Sequence, residues 1–474
     1  MLSTEREPLR RRLAWRMPDL LATPGGRLTA FFLLYLTEGI PIGYAGTAMA
    51  THMRRMGIGA AEIGAFVAAL YLPWAFKWAA GPVVDVFRSQ RWGPRRAWIL
   101  AMQVLMVTTL AAAAQFDPAS QIALVTGIIL LHNSFAAVQD VAIDALAIGS
   151  LQPEERGRAA GLMFAGASVG QAMGGAGALA VAASWGQSAA IWMVCASILA
   201  VTVFVVLPLR ERPQGPDAGV ARGPAGGLGS ESLAGGSGSV DFIGLPGRAS
   251  RWHAVGDGLR TFLVTTWQTV RESRPARFGL LVALLPPGCL SLGLALKTNL
   301  GVDIGLDDAA MAGLALVTSV LGAAGCVIGG LLADRWGRRA TLTVAVVGTM
   351  VPVVLLALLL SAWTPDAAVS AGKTGFLAAC AVFALFNGMM YGSLMPMFMD
   401  ITRTAVAATQ FTAYTALMNL AITMSARWQG SAAQAWGYSW TLLADAALGG
   451  VILLFLPLIQ VAWRRGPSMG KDRG

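Results

Sequence analysis

The sequence predicts an all-α membrane protein, with twelve transmembrane helices in two pseudo-symmetric six-helix bundles. Three observations lead there: a deficit of charge, twelve apolar runs of spanning length, and a loop pattern that occurs once in each half.

Of the 474 residues, 55% are hydrophobic and 13% charged, with a mean hydropathy of +0.61. A soluble chain carries about 25% charged residues, so this one falls in the membrane class. The net charge of +10 comes from arginines clustered between apolar stretches. Topology needs them there, and nucleic acid is not an expected partner. Cys195, Cys289, Cys326 and Cys380 lie inside apolar segments without a CxxC pair, and the three His are scattered. Neither a disulfide framework, a metal site nor a cofactor is expected. The N-terminal run to Ala50 contains Glu38 and is too long for a signal peptide, so it reads as the first span.

A spanning helix needs about 20 mainly apolar residues. Such runs occur at 28–50, 63–84, 97–114, 122–149, 159–183 and 189–209, and again at 278–300, 309–333, 340–361, 375–399, 406–427 and 437–463. With the N-terminus in the cytoplasm, 29 of the 35 Lys and Arg fall inside and five outside (Arg54, Arg55, Lys297, Lys373, Arg427), with Lys77 left inside a helix. Positive charge stays inside, so both termini are expected in the cytoplasm. The organisation is then a tail at 1–27, a bundle at 28–209, a linker at 210–275, a bundle at 276–463 and a tail at 464–474.

The linker is rich in Gly, Ser and Pro from Glu211 to Gly258 and reads as flexible. From Leu259 the apolar set Leu259, Phe262, Leu263, Trp267 and Val270 opposes Arg260, Gln268 and Arg271. That pattern predicts an amphipathic helix on the inner leaflet or a solvated lead-in to the seventh span.

The repeat lies after the second and eighth spans. The first copy has Gly81-Pro82-Val83-Val84-Asp85, then Gly93-Pro94-Arg95-Arg96; the second runs Gly330 to Arg339 through Asp334, Arg335 and Arg338. Gly suits close helix approach and tight turns, and Asp accepts hydrogen bonds from the nearby Arg. Gly81, Asp85, Arg95, Arg96, Gly330, Asp334, Arg335, Arg338 and Arg339 are therefore a candidate cytoplasmic gate latching two bundles. Gly39-Ile40-Pro41-Ile42-Gly43 and Pro286-Pro287-Gly288 suggest that the first helix of each half is broken. Repetition with interrupted helices at matching positions is a transporter signature.

The second loop copy resembles the signature loop of the major facilitator superfamily, GxLaDrxGrR. The first departs from it, because residues 86–92 lengthen the spacing between Asp85 and Gly93. Leu72 to Trp78, and Gln139 to Ala145 with Glu154-Glu155-Arg156-Gly157, resemble the AmpG-like branch of that superfamily. The resemblance implies two bundles around a central cavity, lined mainly by the first and fourth helices of each half. A monomeric importer in the bacterial inner membrane is expected, and the resemblance implies a bulky polar solute: anhydro-muropeptides, or alternatively ferric siderophores.

Charge at helix depth is costly and usually functional. Counting about 1.5 Å per residue brings Glu38, Lys77 and Asp140 to a similar depth on three helices, with Asp144 one turn from Asp140. These four are a candidate proton-coupling cluster; a static ion-pair brace is the alternative. His132 and Asn133 lie further out as candidate solute contacts, His132 alternatively as a relay or a packed residue. The second half offers Asn387, Tyr391, Gln410 and Asn419 as candidate solute contacts, while Lys297 is expected to snorkel at the outer end of the seventh span. A phosphate-cradling loop is lacking: Ala371-Gly372-Lys373-Thr374 has no leading Gly and is expected in an external loop. No nucleophile pairs with a base at one depth, so an enzyme is not expected, and a membrane sensor should carry a folded soluble module. The sequence reads as a proton-coupled secondary transporter.

Overall fold

The computed structural model describes residues 19–89, 91–118, 120–152, 155–211, 248–361, 369–401 and 407–464. Helices dominate it, and no strand occurs among the described residues. Among the described residues, nine helices are long and apolar enough to cross a membrane. The longest, Gln410–Leu458, turns back at Gly437, whose φ is +78°, and so carries the last two expected runs. The expected runs without such a helix are 159–183 and 278–300. The former is helical with a π-helical stretch at Met173–Gly177; the latter is broken.

Local chemistry sets the boundaries. The first span, Pro24–Arg55, begins where Thr23 accepts the Gly26 N–H and Pro24 takes the first turn. There the missing N–H costs nothing. The expected break at Gly39–Gly43 does not occur. Pro41 removes a single donor, and a π-helical stretch at Tyr44–Met49 absorbs the mismatch, so the helix continues. The seventh span does break: Arg274–Leu284 stops, and helix resumes at Ala295–Asp303. Two consecutive prolines remove two donors, and Gly288 takes φ +78°, a conformation only Gly adopts cheaply.

Between apolar helices in lipid, small residues permit close backbone packing. Gly166, Gly170 and Gly174 of the fifth span lie against the carbonyls of Phe32, Leu36 and Ile40. In the second half, Gly325 and Gly329 of the eighth span meet the carbonyls of Leu385 and Met389 on the tenth. The halves meet through the second and eleventh spans, where Gly64 and Gly430 sit against the carbonyls of Ala426 and Ala60.

The linker helix is longer than expected, Arg248–Glu272. It packs on the end of the second span: Phe262 stacks on Trp78 at 5.0 Å and 8°, and Trp252 meets Phe87 at 5.1 Å. Leu263 and Trp267 remain exposed. The rest of the Gly-rich linker and most of both tails lie outside the described residues. The Gly372-Lys373-Thr374 string lies in helix Val369–Ile401, not in a loop.

Candidate functional site

Three spans bring four ionisable groups together in the first half. Lys77 Nζ lies 2.7 Å from Asp140 Oδ2, the side chains 19% and 5% exposed. Lys77 reaches the acid from a short 3-10 turn, Lys77–Ala79, that interrupts the second span. One turn along the fourth span, Asp144 Oδ1 accepts the Tyr35 hydroxyl at 2.6 Å. Glu38 is buried and faces Asp140, Asp144 and Lys77 electrostatically, yet its Oε1 has no hydrogen-bond partner. The three acids thus have different fates: one paired with a cation, one held by a phenol, one left with an open oxygen.

Beside them is a neutral polar hub. Thr37 Oγ1 accepts Gln139 Nε2 at 3.2 Å and Gln103 Nε2 at 3.5 Å, and Gln103 Oε1 accepts the Thr202 hydroxyl at 2.7 Å. Four spans are tied at one level. Sequence reasoning missed Tyr35 and this hub. Tyr35 sits one turn before Glu38 on the same face, which was the available signal.

His132 faces the third span: its Nδ1 lies 3.0 Å from Met106 O and 3.2 Å from Thr109 Oγ1, and the ring is 1% exposed. Asn133 donates to Ile129 O at 2.9 Å and leaves Oδ1 unpartnered. Of the second-half candidates, Asn419 donates to Thr415 O at 2.9 Å, and Gln410 is buried. Tyr391 is half-buried, and Asn387 presents a buried Oδ1 without a partner.

The second half holds a buried carboxylate that the sequence reading overlooked. Asp445 is 1% exposed. Its Oδ2 accepts the backbone N–H groups of Leu290 and Ser291, each at 3.0 Å, and its Oδ1 accepts Gln429 Nε2 at 2.7 Å. Breaking the seventh span frees backbone donors that lipid cannot satisfy, and Asp445 takes two of them.

The repeated loops form pairs inside each half. Asp85 Oδ1 meets Arg95 Nη2 at 2.5 Å, and Asp334 Oδ1 meets Arg338 Nη1 at 2.9 Å. Arg96 reaches the carbonyls of Val206 and Leu207, and Glu211 accepts the backbone N–H groups of Arg95 and Arg96. Arg335 and Arg339 are exposed. The close-approach role expected of Gly81 and Gly330 is not present. An added Cβ would meet nothing within 4 Å at Gly81, and at Gly330 only Gly392 O at 3.9 Å. The glycines the turns need are Gly93 and Gly337, at φ +91° and +87°.

Ion pairs across the halves lie at the opposite end. Asp303 accepts Arg54 Nε at 2.7 Å and Nη2 at 2.5 Å, together with the Tyr438 hydroxyl at 2.5 Å. Arg55 pairs with Asp308 at 3.0 Å. Among the described residues these pairs fasten the two halves at this end, the arrangement of a carrier closed there.

The Major Facilitator Superfamily family model matches residues 28–426. The chain belongs to that superfamily. That superfamily is one of multi-pass membrane transporters. Among curated relatives, the anhydromuropeptide permease of Escherichia coli (strain K12) is 26% identical over 182 residues, covering 38% of this chain and 37% of that protein. A protein described as a transporter, AmpG 4, of Rickettsia conorii is 28% identical over 183 residues, 38% of this chain and 43% of its own length. The chain therefore matches less than half the length of each. The fold is similar to the inward-open xylose transporter XylE of E. coli, with TM-score 0.60, 13% identity, and 94% and 98% of the two chains covered. A bacterial homologue of the human lysosomal transporter Spinster, inward-facing and unoccupied, gives TM-score 0.62 at 13% identity over 94% and 99%.

Proposed function

We propose that this transporter is a proton-coupled importer of a bulky polar solute of the anhydro-muropeptide class. It works as a monomer in the bacterial inner membrane, with both termini in the cytoplasm. The observation that carries the proposal is the cluster of Glu38 beside the Lys77–Asp140 pair and the Tyr35–Asp144 bond. A carboxyl with an unpartnered buried oxygen is costly as an anion and tolerable as a neutral acid. Glu38 is thus the group that takes up and releases the proton as access to the cluster alternates, while Lys77 neutralises Asp140. Rocking the halves would open the Arg54–Asp303 side and bring the Asp85 and Asp334 loops together as the cytoplasmic gate. The solute class rests on the similarity to the anhydromuropeptide permease.

The test is uptake into proteoliposomes of labelled anhydro-muropeptide and of a ferric siderophore, each with and without an inward proton gradient. Gradient-stimulated uptake of the muropeptide alone is the expected result. Stimulated uptake of the siderophore alone would reassign the solute, and uptake indifferent to the gradient would remove proton coupling.

A further inference from the structure

Lys297 does not sit at the outer rim of the seventh span. It is the third residue of helix Ala295–Asp303, just beyond the break. Six residues separate it from Asp303, about 9 Å along the axis. It shares a face with Gly301, one turn outward, which lies against Met311 of the eighth span and Phe376 of the tenth. Its electrostatic neighbour is Cys380, one turn along the tenth span from Phe376. Lys297 therefore points among the seventh, eighth and tenth spans, half-buried.

No carboxylate is available to it among the described residues. Asp303 is taken by Arg54 and Tyr438, Asp308 by Arg55, and Asp334 by Arg338. Asp307 caps the eighth span through Ala310 N, and Asp445 is engaged by two backbone N–H groups and Gln429. No hydrogen bond or ion pair of Lys297 occurs among the described residues. Its place in the first turn of a helix adds positive potential from the peptide dipoles and does not offset its charge. An unpaired ammonium inside the bilayer is expensive, and such groups mark solute pathways. The face of the tenth span that begins at Phe376 and Cys380 continues inward, at helical spacing, to Asn387 and Tyr391. Asn387 Oδ1 is buried there without a donor. One wall thus offers a cation and, about 10 Å further in by helical rise, an open acceptor.

We propose that Lys297 is the subsite for a carboxylate of the transported solute, with Asn387 Oδ1 accepting an N–H from the same molecule. The acid-rich cluster lies in the first half and this cation in the second, so a solute carrying both a carboxylate and N–H donors meets complementary walls. The inference deepens the proposed function and rests on it for the identity of the solute.

Two measurements test it. The first compares uptake of a muramyl peptide bearing one free carboxylate with the same peptide amidated at that position, in wild-type, Lys297→Gln and Lys297→Arg proteoliposomes. A hydrogen bond to a charged group is worth about ten- to a hundred-fold in affinity. The wild type should therefore favour the carboxylate form by that factor, Lys297→Gln should collapse the ratio towards one, and Lys297→Arg should restore most of it. Equal transport of both peptides by the wild type, or a ratio kept in Lys297→Gln, overturns the inference and leaves the proposed function standing. Transport of neither peptide counts against the solute class, and the second measurement then decides. The four native cysteines are replaced by alanine, Asn387 by cysteine, and the rates of labelling by anionic and cationic methanethiosulfonates are compared with Lys297 present or as Gln. A like-signed cleft concentrates counter-ions, so the anionic-to-cationic rate ratio should fall several-fold in Lys297→Gln. An unchanged ratio refutes the subsite whatever the solute.

Discussion

Removing Lys77 should destabilise the first bundle more than removing Lys77 and the Asp140 charge together. The pair is 2.7 Å long, with the acid 5% and the base 19% exposed. Breaking a buried pair by deleting one partner costs about 3–5 kcal/mol. The partial exposure of the lysine favours the lower end, about 3 kcal/mol for Lys77→Met. Asp140→Asn is the milder change, because Glu38 and Asp144 remain in electrostatic range of the lysine; about 1–2 kcal/mol is expected. The double variant leaves neither charge orphaned, so its loss should be smaller than that of Lys77→Met alone, giving a coupling energy of about 2 kcal/mol or more. SDS-driven unfolding in mixed micelles, followed for all four proteins, measures this cycle. Additive losses, with the double variant the least stable, would refute the reasoning that this pair is a desolvated unit.

Three further outcomes follow from the geometry. Arg54→Ala removes a partly exposed bidentate pair worth about 1 kcal/mol or less. It should nonetheless open the Asp303 end, read as faster thiol labelling at cysteines placed on the closed face; unchanged labelling would mean that the Arg55–Asp308 pair and the glycine contact of Gly64 and Gly430 hold that end without it. Gly81→Ala should leave stability within about 0.5 kcal/mol, whereas Gly337→Ala, forced to φ +87°, should lose about 1–2 kcal/mol; equal losses in unfolding would show that the turn is not strained. The Arg27 guanidinium hydrogen-bonds Glu155 and holds its carboxyl below the usual carboxylate range. A lowered folded value means that the stabilisation is present above the unfolded pKa, about 4.3, and is lost as pH falls through the folded one. Glu155→Gln should therefore flatten the stability profile below about pH 4.3, and an unchanged profile would exclude the pair as its source.

Most of the spans were legible because lipid demands about 20 apolar residues per crossing, a signal that composition alone carries. Depth counting was also enough to place Lys77 beside Asp140, 63 residues apart, since helical rise is constant. It failed where backbone chemistry is subtler. One proline does not end a helix that can insert a π turn, so the first span continues through Pro41, whereas Pro286, Pro287 and Gly288 together stop the seventh. Asp445 went unseen because an acid in a long apolar run shows no partner in the sequence; its partners are backbone N–H groups 155 and 154 residues away. The Arg54–Asp303 contact joins residues 249 apart in different halves, and it depends on which end of the carrier is closed, a state that periodicity does not encode. Lys297 was misread for a related reason. Its distance from the rim depends on where the seventh span resumes after its break.

The most direct test of the coupling claim is solute accumulation and counterflow exchange, measured side by side in proteoliposomes of the wild type and Glu38→Gln. Glu38 carries the proton in this account, and exchange need not release it. Glu38→Gln should therefore abolish accumulation driven by a proton gradient while keeping exchange of internal for external solute. Gradient-driven accumulation that survives in Glu38→Gln would contradict the account.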